Sequence, residues 1–299
     1  FSPQRRSTAV GVFFIGIPLG IGLAFVIAGT LGVQYGWRGT FNILGLAGAA
    51  FTLPLLLLRD ERHGGDTHGR GAPFRQQVRS VMIAVGASMP LRQTMVGFVL
   101  VHFAFASLAF VQLWLVRERG FDGGTIAKQM GVLQILFGTL GAVLGGVASD
   151  RFARLFKGGH ASVLSLMVLL MAPLMLAYRF AAPGSALFYL GMCAGFVLPL
   201  ATYGPANALI QALTPAHMRS TVTGATMMLI NVFAIAIGNL AVGAVSDRLT
   251  ASGSAVGLTV SLVATDLLVA GSLWFFWRAA RSGDAHLADA VDKNAVPVH

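Results

Sequence analysis

The feature that most constrains this chain is a stretch near its start. Positions 7 to 37 contain no Asp, Glu, Lys or Arg, and they read STAVGVFFIGIPLGIGLAFVIAGTLGVQYGW. A bilayer crossing needs only ~20 apolar residues, so this run exceeds what any soluble core helix requires. Seven more apolar runs follow. The eight cover about 8–34, 39–58, 93–116, 127–148, 161–179, 185–208, 220–245 and 255–277. Charged residues make up 11% of the chain and mean hydropathy is +0.75, against roughly 25% charged in soluble domains. Lipid offers no partner to backbone N–H and C=O groups, so runs of this length must be helical. The expected fold is all-α integral membrane, with eight transmembrane helices.

A net charge of +10 and a pI near 11 raise the question of nucleic acid. The charges lie between apolar runs instead of forming a patch, so they read as topology signals and no nucleic-acid partner is expected. Lys and Arg divide fifteen to six between alternate connections, with Arg179 counted in the loop between the fifth and sixth runs. The richer side is cytoplasmic by the positive-inside rule, which puts both termini inside, in the cell (inner) membrane. A single cysteine, Cys193, allows no internal disulfide. No GxxxxGK[ST], HExxH or GxSxG pattern occurs, and no two acids face each other within a run. No enzyme activity, cofactor or metal is expected. The partners expected are the lipid bilayer and a small-molecule substrate, with a proton or other ion as coupling partner.

The polar stretch 59–92 divides the chain. Asp60 to Gly71 is rich in Gly, His and charge. Beyond it Phe74, Val78, Val81, Met82 and Val85 recur at helical spacing, with Arg75 and Arg79 elsewhere on the wheel. Two readings stand: a short helix lying on the membrane, or a linker with incidental apolar residues. The tail 281–299 is polar and expected to be mobile. Gly16xxxGly20, Gly141xxxGly145 and Gly191xxxGly195 permit close helix packing, although glycine is frequent enough for chance spacing. Pro18, Pro54, Pro173, Pro199 and Pro205 are candidate kinks.

An internal echo suggests duplication. Arg6-Ser7-Thr8 and Gly11 match Arg219-Ser220-Thr221 and Gly224, each with a proline upstream, Pro3 and Pro215. If the first and seventh runs correspond, the repeat is six helices long. Residues 1–58 then supply the last two helices of one half, 59–92 the joint and 93–280 the whole second half, with four helices expected ahead of Phe1.

These residues resemble the major facilitator superfamily of transporters, over essentially 1–280. Gly36-Trp37-Arg38-Gly39-Thr40-Phe41 resembles that family's Gly-Trp-Arg-x-x-Phe. Gly146-Val-Ala-Ser-Asp150-Arg151-Phe-Ala-Arg154 resembles its Gly-x-x-x-Asp-Arg loop, with Ala153 where glycine is usual. Gly204-Pro205-Ala-Asn207 through Pro215 to Ser220, with Gly243 to Asp247, is most similar to the spinster-like branch. The resemblance implies a secondary transporter working by alternating access, and a small organic or amphipathic solute. The rival readings are an integral-membrane enzyme or a sensor without flux.

Candidate residues follow. Gly146, Asp150, Arg151 and Arg154 form a gating loop or, more plainly, a positive-inside anchor, and Arg219 and Arg6 are candidates for the same network. Asp266 is the acid nearest the centre of a run. Its cost there demands a partner or a proton, so it reads as a proton site or an interhelical hydrogen bond. His102 and Gln112 share a face with Phe105 and Ala109. Gln134, Tyr203, Asn207 and Asn231 are the other polar candidates for substrate binding. Each of these reads equally as a hydrogen bond holding helices together.

Overall fold

The computed structural model describes residues 5–54 and 74–294. They are helical throughout: α1 (Arg6–Phe13), α2 (Gly16–Thr52), α3 (Phe74–Ala87), α4 (Met89–Val101), α5 (Phe103–Arg117), α6 (Gly123–Leu133), α7 (Thr139–Phe152), α8 (Gly159–Ala177), α9 (Ala186–Ala201), α10 (Tyr203–Ala212), α11 (Arg219–Leu229), α12 (Gly238–Ala251) and α13 (Gly257–Asn294). Two π-helical segments, Gln134–Gly138 and Ile230–Ile237, join α6 to α7 and α11 to α12.

Among the described residues, seven continuous helical stretches are long and apolar enough to cross a membrane. The difference from eight lies in the first, Ser7–Thr52. At 1.5 Å per residue it spans ~70 Å, more than twice a hydrocarbon core. It is interrupted at Gly36 (φ 65°, ψ 177°), a conformation that only glycine adopts without strain. The expected break between the first two runs is thus a single-residue kink instead of a loop. Trp37, Phe41, Leu46 and Phe51 beyond it are exposed.

The core lies in the residues from 89 onward. There α13 packs on α4, α5, α8 and α12, while α7 packs on α9. Leu91, Phe98, Leu164, Leu198 and Phe276 are fully buried among them. Small residues decide how closely the helices approach. A Cβ at Gly141 would meet the Val197 backbone, and one at Gly145 that of Ala201. Gly191 lies equally tight against Leu174 and Tyr178, but Gly16 and Gly20 face open space. The first long helix docks instead through Gly22, against Gly131 and Ile135 of the α6 region. The Gly16xxxGly20 pair therefore plays no packing role here.

The stretch from Phe74 is a helix, α3, and Val81 and Val85 pack against the core while Val78 and Met82 are exposed. The Asp60–Gly71 segment lies outside the described residues. In the polar tail α13 continues to Asn294.

Candidate functional site

Three helix breaks and one crossing shape the candidate site. The chain turns between α1 and α2 at Phe14–Ile15, just before Pro18. The 93–116 run is interrupted at His102, which separates α4 from α5. The 185–208 run is interrupted at Thr202, between Pro199 and Pro205. Prolines at 18, 199 and 205 withhold backbone donors from these helices, which is the local reason for two of the three breaks.

Aromatic rings converge on these breaks. Tyr203 lies 4.3 Å from Phe14, 4.8 Å from His102 and 5.5 Å from Phe98, ring centre to ring centre. Phe105 stands 5.5 Å from His102 on the other side. The imidazole is fully buried and its Nδ1 lies 2.6 Å from the Phe98 carbonyl oxygen. A carbonyl only accepts, so Nδ1 carries the proton and Nε2 is left as an acceptor in the neutral ring. Among the described residues that Nε2 has no partner. Gln134 is also fully buried, with both amide atoms unpaired among the described residues. It opens the π-helical segment, and Gly138 one turn later sits against Pro18, Leu200 and the Gln134 amide nitrogen. Phe14 and Pro18, four residues apart, therefore touch the surroundings of both polar groups. A buried unpaired polar group costs ~1–3 kcal/mol, and π-helical bulges occur often at functional sites. Together the two side chains offer one imidazole acceptor and an amide donor and acceptor in an aromatic setting.

The crossing lies at one end of the molecule. Asp150, at the end of α7, accepts hydrogen bonds from Ser7 N (3.2 Å), Thr8 N (2.7 Å) and Thr8 Oγ1 (2.6 Å). These are the free donors of the α1 N-terminus, where a carboxylate also meets the positive end of the helix dipole. Gly146 and Gly204 make the approach possible, since a Cβ on either would overlap Ser7 O. Asp150 and Gly146 thus act as one unit. Arg151 and Arg154 are exposed and form no ion pair among the described residues. Arg219 turns back to the Gln211 and Thr214 carbonyls at the end of α10.

Other candidates are placed apart from this centre. Gln112 does not stand with His102; its amide donates to Gly123 O at the α5–α6 connection. Asn207 bonds back to Tyr203 O, and Asn231, exposed, to Met227 O. Asp266 is buried and has a charged partner that the sequence reading placed in a loop. Arg179 Nε lies 2.7 Å from Asp266 Oδ2, and its Nη2 donates to Ser107 Oγ at 2.6 Å. Arg179 is 2% exposed, which removes it from the loop charges used to assign topology. The guanidinium also packs over the rings of Tyr178 and Trp114, beside a cavity of about 20 Å³. Glu118 was missed as well. It caps α13 by accepting from Leu258 N, Thr259 N and Thr259 Oγ1. The available signal for Arg179 was a lone cation ending one apolar run opposite a lone acid inside another.

Comparison with known proteins follows the same lines. The family model of the Major Facilitator Superfamily matches residues 1–239. An MFS-type efflux pump of Mycolicibacterium smegmatis is 25% identical over 94% of this chain and 65% of its own length. Protein spinster of Drosophila melanogaster is 24% identical over 58% of this chain and 30% of its own. The chain therefore spans less than two thirds of the length of these curated relatives. A crystal structure of a bacterial homolog to the human lysosomal transporter Spinster, inward-facing and unoccupied, superposes with a TM-score of 0.70 at 19% identity. That match covers 94% of this chain and 72% of the other.

Proposed function

The chain belongs to the major facilitator superfamily, and from that premise we propose that it is part of a secondary transporter that moves a small organic or amphipathic solute by alternating access. In this reading Ser7–Thr52 supplies two spans, bent at Gly36, giving eight in all. They are the last two helices of one six-helix half and all six of the other. Both termini face the cytoplasm of the cell (inner) membrane, as the Lys and Arg bias favours. The solute site lies where Phe14 and Pro18 meet His102, Tyr203 and Gln134. The observation that carries this reading is the pair of fully buried, unpartnered polar groups, His102 Nε2 and the Gln134 amide, at helix breaks. Broken helices are where transporters of this kind place their polar contacts. Arg179–Asp266 lies wholly within the second half, so it holds that half together instead of carrying the coupling proton.

In this reading His102 offers both a solute contact and a candidate carrier of the coupling proton, because an imidazole can donate, accept and exchange a proton. His102→Gln keeps a hydrogen-bonding side chain and removes titration. In liposomes carrying the full-length protein, uptake of an amphipathic fluorescent dye is expected to lose apparent affinity at least several-fold and to lose its pH dependence. Unchanged affinity and pH profile in a folded variant would rule the site out.

The Asp150 cap is the proposed latch. It ties α1, before the 59–92 joint, to α7 beyond it, so rocking of the halves must break it.

A further inference from the structure

One open groove on the outside of the helix packing has no part in the proposed solute path. It has a volume of about 690 Å³ and runs between α8 and α13, lined by Phe156, Leu166, Leu169, Leu273, Trp274 and Trp277 among others. That volume falls in the ~300–1,000 Å³ range of small-molecule sites. Its wall is almost wholly apolar: Ser165 spends its hydroxyl on Ala161 O. Along α13 the lining runs from Ala270 to Ala280. Ten residues of helix rise cover ~15 Å, which is half of a ~30 Å hydrocarbon core, or one leaflet.

One end of the groove is basic. Arg281 lies 4.1 Å over the Trp277 ring and Arg278 5.7 Å over Trp274, both rings being groove walls. Gly158 abuts Ala280 across the helix pair, which brings the preceding residue, Lys157, to the same end. All three cations are exposed and none has an acidic partner among the described residues. An apolar channel one leaflet long, with unpaired cations at its mouth, complements one kind of molecule.

We infer that the α8–α13 groove is a binding site for an anionic phospholipid, its acyl chain along Leu166, Leu169 and Leu273 and its phosphate held by Lys157, Arg278 and Arg281. Basic pockets between spans bind such headgroups through the same forces that hold polybasic segments at anionic membranes. Trp274 and Trp277 hold the Arg278 and Arg281 guanidiniums over their rings, so the site selects headgroup charge and depth together.

The groove carries its own reporters. With Trp37 and any tryptophan outside residues 1–299 changed to Phe, the remaining tryptophans are Trp274, Trp277 and the fully buried Trp114. The full chain is reconstituted in phosphatidylcholine with small fractions of lipid bearing brominated chains, which quench tryptophan on contact. Brominated phosphatidylglycerol is expected to quench at much lower mole fraction than brominated phosphatidylcholine. Each cation contributes about fivefold to that preference. The Lys157→Gln/Arg278→Gln/Arg281→Gln variant should lose the preference while still being quenched by bulk lipid. Should that variant not fold, Arg281→Gln alone is expected to lower the preference about fivefold. Equal quenching by the two lipids, or a preference that survives the triple change, overturns the site. Quenching by neither lipid means that a second copy or another protein covers the groove, and also overturns it. Soluble glycerol phosphate at millimolar concentration should leave the preference intact; if it abolishes it, the cations bind headgroups without the groove.

Discussion

Asp150 and Glu118 perform the same chemistry at different places in the molecule. Each is a half-buried carboxylate that accepts two backbone N–H groups and a threonine hydroxyl at the start of a helix. What differs is what each one joins. Glu118 ties the end of α5 to α13, both beyond residue 93. The tie is backed by Trp114, whose indole N–H donates to the same Thr259 hydroxyl at 2.7 Å. Asp150 ties α7 to α1 across the 59–92 segment, with the exposed Arg151 and Arg154 following it in the chain and the partly buried His160 nearby. In the proposed reading of two halves, a cap inside one half adds to its stability, whereas a cap between the halves sets their relative position. The bond type does not distinguish these roles; the connectivity does.

The sharpest test of this contrast breaks the buried Arg179–Asp266 pair among the residues from 89 onward. Asp266→Ala leaves Arg179 buried and unpaired, and should cost about 3–5 kcal/mol of stability, read by thermal or denaturant unfolding in detergent. Arg179→Met combined with Asp266→Leu should recover much of that loss, because a well-packed apolar pair carries no desolvation cost. If the single change costs under ~1 kcal/mol, the pair does not hold the unit together.

The two caps come next. Glu118→Gln removes a charge from a helix N-terminus and should cost about 1 kcal/mol. Its ratio of inward to outward accessibility, measured by cysteine labelling from each side, should not move. Asp150→Asn should cost no more, yet shift that ratio several-fold in the full-length protein, since a two-state balance responds to a bias of that size. Equal behaviour of the two variants would erase the distinction between them.

The smallest effect belongs to Asp122, an exposed cap that binds no distant element. It accepts from Thr125 N at 2.8 Å, and this bond holds its carboxyl below the ordinary carboxylate range. A depressed folded-state value means that the stabilisation is present above the unfolded value. It is lost as pH falls through the folded one. Asp122→Ala should therefore flatten the acid limb of the unfolding profile slightly and leave accessibility unchanged at neutral pH.

The apolar runs, the membrane class and the Gly-x-x-x-Asp-Arg loop could all be read along the chain, because hydropathy and motif spacing are local properties. Those properties also brought out Asp150, Gly146, His102 and Gln134. They left the Gly16 and Gly20 pair open between packing and chance spacing, since whether a glycine approaches a neighbour depends on which helix lies opposite. The same holds for Gln112, which shares a helix face with His102 on paper. Across the α5–α6 connection it finds a carbonyl to bind.

Pairing across helices was the province of the tertiary structure. Arg179 and Asp266 stand 87 positions apart, and Ser7 and Asp150 143. Lipid solvates every apolar face alike, so a run's composition fixes that it spans but not which face meets which neighbour. Only the helix packing, set by small residues such as Gly141 and Gly145 against Val197 and Ala201, decides that Arg179 is a buried counter-charge and not a loop cation.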